Sequence, residues 1–136
     1  MKITLIAGAR PNFMKIAPII KAIKAAQAAG ESISYRLVHT GQHYDKKMSG
    51  DFFEQLSIPE PDVNLECGGG SQAEQTAAIM VKFEKELQEN RPSVVLVVGD
   101  VTSTMACAIP ASTCTTSTHN FFAVMEIGRA SCRERV

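Results

Sequence analysis

Five residues beside glycine-bearing turns have side chains suited to chemistry on an anionic substrate. Arg10 and Lys15 lie in "GARPNFMK" (8–15), Gln42 and His43 in "HTGQHYD" (39–45), and Asp100 in "GDVTS" (99–103). A guanidinium presents a planar fork of donors that fits two phosphate oxygens, and an ammonium adds a point charge. Carboxylates and imidazoles are common carriers of protons in catalysis. The set could therefore grip a phosphorylated ligand and move a proton next to it. Each member also has a plainer reading. Arg10 suits a solvated loop cation or a brace on a helix C-terminus, and Lys15 a surface lysine, although a nearby helix N-terminus favours anions. Asp100 suits a cap for a helix starting near Thr102, and His43 a structural donor. Gln42 by itself says little. The Gly-x-Gly-x-x-Gly fingerprint is absent, so a phosphate at the first turn would meet a side chain as well as backbone amides.

These residues have a use in common only if the fold brings the turns together. "KITLIA" (2–7) reads as a short buried strand, a second strand runs from near Ile33 through "RLVHT", and a weaker one lies at 62–65. "VVLVV" (94–98) is an unbroken run of β-formers, as expected in a parallel sheet covered on both faces. Helical patterns alternate with the strands. Ile16, Ile19, Ile20 and Ile23 form one stripe, with Pro18 as a possible kink and Gly30 as a stop. Met48, Phe52 and Leu56 form a second stripe, and Thr76, Met80, Phe83 and Leu87 a third. Ser71 and Glu74 spell a capping box after the "GGG" turn at 68–70. The alternation predicts an α/β protein: the first half of a Rossmann-like doubly wound parallel sheet, with spatial order 3-2-1-4. Ligands in such sheets bind beyond the carboxyl ends of the strands, where the order reverses. That point lies between strands 1 and 4, so Arg10 and Asp100 are expected to share a crevice.

Bulk composition limits the alternatives. The 136 residues suffice for one core, and hydrophobic residues make up 45% with formal net charge zero. No global charge favours nucleic acid or an anionic membrane, and no apolar run reaches the ~20 residues of a membrane span. The N-terminus lacks signal-peptide features, so a cytoplasmic protein is expected. Cys67, Cys107, Cys114 and Cys132 form no C-x-x-C pair and no zinc spacing, and are read as unpaired thiols.

Three stretches, "GARPNFMKIAPI" (8–19), "HTGQHYDKKMSGDFF" (39–53) and "RPSVVLVVGDVTSTMACA" (91–108), resemble the non-hydrolysing bacterial UDP-N-acetylglucosamine 2-epimerases. The resemblance covers residues 1–109. It implies the N-terminal half of a GT-B-type, two-domain fold that interconverts UDP-N-acetylglucosamine and UDP-N-acetylmannosamine without a cofactor. UDP is eliminated across C1–C2 to leave 2-acetamidoglucal, then re-added after protonation from the opposite face. By resemblance, Arg10 would hold the diphosphate, Lys15 would support that charge, and Asp100 would act as acid/base or orienting carboxylate. Gln42 and His43 resemble a stretch that lines a regulatory substrate site in some members. A homodimer through N-terminal helices is implied for the full-length protein.

The family pattern breaks off after residue 109. Pro110 is expected to stop the last helix, the Ser/Thr run beyond it has no evident apolar period, and no fifth parallel strand is evident. Residues 110–136 are accordingly expected to be a non-native or disordered tail, with no role for His119 or Cys132. The sheet would then end on an exposed strand 4, and the fragment alone would be inactive. A GT-B glycosyltransferase fragment and a non-catalytic nucleotide-sugar binding module are the competing readings.

Overall fold

A computed structural model describes residues 1–41, 51, 53–98, 102–114 and 121–125; for Arg10, Cys114 and 121–125 it describes the backbone. Five strands and three long helices alternate: β1 (Lys2–Ala7), α1 (Arg10–Ala28), β2 (Ser34–His39), β3 (Val63–Asn64), α2 (Gln72–Glu89), β4 (Val94–Val98), α3 (Thr102–Cys114) and β5 (Phe121–Met125). Residues 53–56 are also helical. The expected helix over 45–56 falls mostly outside the described residues, Met48 and Phe52 included.

Every strand pairing is parallel, and the strands lie in the order β3-β2-β1-β4-β5. The α/β class and the reversal between β1 and β4 are those expected. Alternation along the strands separates two apolar layers. Ile6, Val38, Val95 and Val97 face Ile79, Phe83 and Leu87 of α2 and Ala106, Cys107 and Ala111 of α3. Leu5, Ala7, Leu37 and Val98 face Phe13, Ile16, Ile20 and Ile23 of α1, with Phe53 and Ile58 closing that side.

The helix ends follow local chemistry. At the start of α2 the Ser71 hydroxyl accepts from the Glu74 N–H, and the Glu74 carboxylate accepts from the Ser71 N–H at 2.7 Å. Those bonds hold the Glu74 carboxyl below the usual carboxylate range. At the end of α1, Gly30 and Glu31 donate back to the carbonyls of Gln27 and Ala26, the pairing of a Schellman stop. Pro18 does not break α1, which runs through it from Arg10. The proline and Met14, whose carbonyl it leaves unpaired, both lie on the exposed side, where water can hydrate the freed oxygen.

Two expectations are corrected at the C-terminal side. The last helix does not stop at Pro110; α3 continues to Cys114. Small residues at 106, 107, 110 and 111 form a buried stripe of helical period that is easily missed in a Ser/Thr-rich run. Beyond the proline, the hydroxyls of Ser112 and Thr113 donate to the Ile109 carbonyl at 2.8 and 3.3 Å, satisfying an oxygen near the helix end. A fifth strand also exists. Phe121–Met125 pairs residue for residue with Val94–Val98, so β4 is an interior strand and the sheet crosses the 109/110 boundary.

Candidate active site at the carboxyl edge of the sheet

Parallel pairing of β1 with β4, Ile6 beside Val97, brings their carboxyl ends to one edge. From β1 the chain passes through Gly8 and Ala9 and enters α1 at Arg10. From β4 it reaches α3 at Thr102. The carboxyl ends of β1 and β4, the strands that precede Arg10 and Asp100 in the chain, therefore lie side by side. Asp100 itself lies outside the described residues, as do Gln42 and His43.

The start of α1 is electropositive by construction. Its N-cap, Ala9, offers no side-chain cap, its first turn holds no acidic residue, and a proline occupies the opening. Pro11 has no N–H and the Asn12 N–H already donates to the Ala9 carbonyl at 2.9 Å, so the uncapped end of the helix dipole, rather than a row of free amides, favours an anion there. Lys15 lies in the second turn, half-buried and engaged by a neighbour.

Three buried loops lock this edge. A Cβ on Gly8 would lie 2.2 Å from Ser103 Oγ, 2.9 Å from Ser103 Cβ and 3.0 Å from Thr40 Oγ1. Only a glycine lets the β1–α1 turn, the end of β2 and the first turn of α3 come this close. Ser103, Thr104, Thr40 and Asn12 are all buried. The hydroxyls of Thr40 and Thr104 have no hydrogen-bond partner among the described residues. Such groups are rare in folded proteins, and are more common where chemistry is done.

The loop leading to Gln42 and His43 is anchored at its start. His39, the last residue of β2, is buried and stacks on Phe13 with ring centroids 5.2 Å apart. Its Nδ1 accepts the Gly41 N–H at 2.7 Å, so the neutral ring carries its proton on Nε2. Thr40 donates its N–H to the Ala7 carbonyl and accepts from Cys67 N–H. Gly41 has φ +83°, and a Cβ there would strike the Glu66 backbone at 2.7 Å. His39, Thr40, Ser103 and Thr104 were not among the residues singled out from sequence. The signal was available: each adjoins a candidate residue, at a strand end or a helix start.

Cys67 and Cys107 sit in the core layer beside this edge, Cys67 through its N–H bond to the Thr40 carbonyl. Both are free and buried, and burial pushes both thiols up in pKa, away from reactivity. Among the described residues no helix is long and apolar enough to cross a membrane.

The comparisons with known proteins agree with this geometry. The family model for UDP-N-acetylglucosamine 2-epimerase matches residues 24–119. The chain belongs to that family. It is 39% identical over 112 residues to the UDP-N-acetylglucosamine 2-epimerase of Methanocaldococcus jannaschii, covering 82% of this chain and 29% of the relative. It is 46% identical over 112 residues to the UDP-2,3-diacetamido-2,3-dideoxy-D-glucuronate 2-epimerase of Pseudomonas aeruginosa, again covering 82% of this chain and 30% of the relative. The crystal structure of the M. jannaschii epimerase in complex with UDP-GlcNAc and UDP superposes with a TM-score of 0.78 at 37% identity, over 94% of this chain and 33% of that one. The chain thus spans about 30% of the length of the curated 2-epimerases it matches.

Proposed function

We propose that the chain is the N-terminal part of an enzyme that interconverts UDP-N-acetylglucosamine and UDP-N-acetylmannosamine. The observation that carries this reading is the family match on a sheet in which the carboxyl ends of β1 and β4 lie side by side. Arg10 grips the diphosphate of the departing UDP, and Lys15 supports that charge. Asp100 serves as the acid/base or orienting carboxylate near the sugar. In the forward step a base takes the C2 proton while the C1–oxygen bond breaks, its electron pair leaving with UDP, and 2-acetamidoglucal remains. Protonation of C2 from the other face and return of UDP to C1 complete the inversion. Gln42 and His43, three and four residues beyond His39 in the chain, contribute to substrate binding. The relatives named above are 2-epimerases, which favours this reading over a glycosyltransferase fragment or a binding module. The chain spans about 30% of the length of these relatives, so the exchange assay belongs to the full-length protein.

The test is proton exchange at sugar C2. In deuterated water, a full-length protein carrying this chain is expected to place deuterium on C2 of UDP-N-acetylglucosamine, and its Arg10→Ala variant to do so at least about 100-fold more slowly. Exchange at an unchanged rate in the variant refutes the role of Arg10; binding without exchange in the parent refutes the epimerase reading. The 46% identity to the P. aeruginosa relative favours a second substrate reading, UDP-2,3-diacetamido-2,3-dideoxy-D-glucuronate. Running the assay with both sugars separates the two.

A homodimer and a cytoplasmic setting complete the proposal. Val81 on α2 and Met105 and Ile109 on α3 are large apolar side chains left exposed on adjacent helices, as a self-association surface would need. Two buried free thiols suit a reducing compartment. Sedimentation velocity on the full-length protein is expected to give a dimer that Val81→Glu with Met105→Glu converts to a monomer; a parent that sediments as a monomer overturns it.

A further inference from the structure

The face of the sheet under α2 and α3 changes character along its length. At the carboxyl half its β1 and β2 positions are apolar, Ile6 and Val38. At the amino half the same face carries Lys2 and Thr4 on β1, paired in register with Ser34 and Arg36 on β2. The α2–β4 connection crosses above them at Asn90 and Pro92 and leaves a cavity of about 170 Å³. It lies at the opposite end of β1 from Gly8, about 17 Å away at ~3.3 Å per residue.

The charges there are arranged asymmetrically. Arg36 Nε donates to Glu86 Oε1 at 2.5 Å, and Glu86 accepts a second bond from Asn90 Nδ2 at 3.0 Å. Glu86 is buried on α2, so one side of the guanidinium is held by a carboxylate that is itself fixed. The Nη1 and Nη2 donors of Arg36 and the Lys2 ammonium have no protein partner among the described residues. A guanidinium locked through Nε with its Nη groups open is a pre-oriented fork for two oxygens of an anion. The Ser34 hydroxyl lines the same space.

Size narrows the ligand. A cavity of 170 Å³ is below the ~300–1,000 Å³ of pockets for drug-sized molecules, yet has room for several waters at ~30 Å³ each. It is too small for a nucleotide sugar and large enough for a tetrahedral oxyanion with part of its hydration. We propose that the cavity between Lys2, Arg36 and Asn90 is a binding site for a small oxyanion of the inorganic phosphate type, separate from the crevice at the carboxyl edge.

The test is a titration of the ¹⁵N-labelled 136-residue chain with inorganic phosphate, against chloride at equal ionic strength. Saturable shifts are expected at the amides of Lys2, Ser34, Arg36 and Asn90. Lys2→Gln, an exposed position, should weaken binding about tenfold without disturbing the fold. Arg36→Lys keeps the charge facing Glu86 and removes the fork, so it too should weaken binding. The site is refuted by shifts that do not saturate, by shifts confined to the Gly8 edge, or by equal affinity in Lys2→Gln and the parent.

Discussion

Phe83→Ala is expected to lower the free energy of unfolding by about 3–5 kcal/mol. Phe83 is fully buried near the middle of α2, in the cluster with Ile6, Val38, Val95 and Val97 from three adjacent strands and Ala106 and Cys107 from α3. Truncation removes apolar surface that had left water, and leaves a void that these backbone-anchored neighbours cannot close. Small domains are held by only ~5–15 kcal/mol, so the variant should be partly unfolded near physiological temperature. Phe83→Leu keeps most of the volume and should cost less than about 1.5 kcal/mol. Urea midpoints of the three proteins check the prediction. An alanine variant within 1 kcal/mol of the parent would mean that this layer does not depend on the ring.

Gly8→Ala is expected to cost about 3 kcal/mol, the upper end for an overpacked site. The added methyl would meet both Cβ and Oγ of Ser103, so turning the serine side chain does not relieve it. Either α3 or the β1–α1 turn must shift. That second shift would also move the backbone of Arg10, two residues on. Ser103→Gly in the same chain removes both clashing atoms. The double variant should regain at least half of the loss, a coupling that a double-mutant cycle reads directly. Additive losses would show that the two residues do not press on each other.

The strand order was legible because each signal was strong and local. A short apolar-rich run at 2–7, an unbroken β-former run at 94–98, an isoleucine stripe at helical spacing, and the Ser71–Glu74 box leave little choice about element type. Once the elements alternate, the handedness of parallel crossovers restricts the sheet to few orders. What escaped was either weakly patterned or non-local. The stripe through Ala106, Cys107, Pro110 and Ala111 is made of small residues, so a proline and a Ser/Thr run outweighed it. "FFAVM" (121–125) is a strand whose only cue is its composition, and it sits between polar stretches. The stacking of His39 on Phe13 depends on β2 and α1 meeting in space. So does the clamp of Arg36 by Glu86, fifty residues apart in the chain. Of the candidate site, the strand alternation indicated that the ends of β1 and β4 would be neighbours. The burial of the hydroxyls at that edge, Thr40, Ser103 and Thr104, depends on contacts between distant segments and became evident from packing.

The pairing of β1 with β4 has a consequence during synthesis. As the chain is made, β1 can zip onto β2 once about thirty further residues have followed it, since Lys2 pairs with Ser34. Its other edge must wait for Val94, whose partner is Ile3. At ~5–20 residues per second, the roughly 60 residues from Ser34 to Val94 take about 3–12 s. Through that interval the nascent chain carries a half-covered apolar ribbon, a natural client for chaperones that shield growing polypeptides.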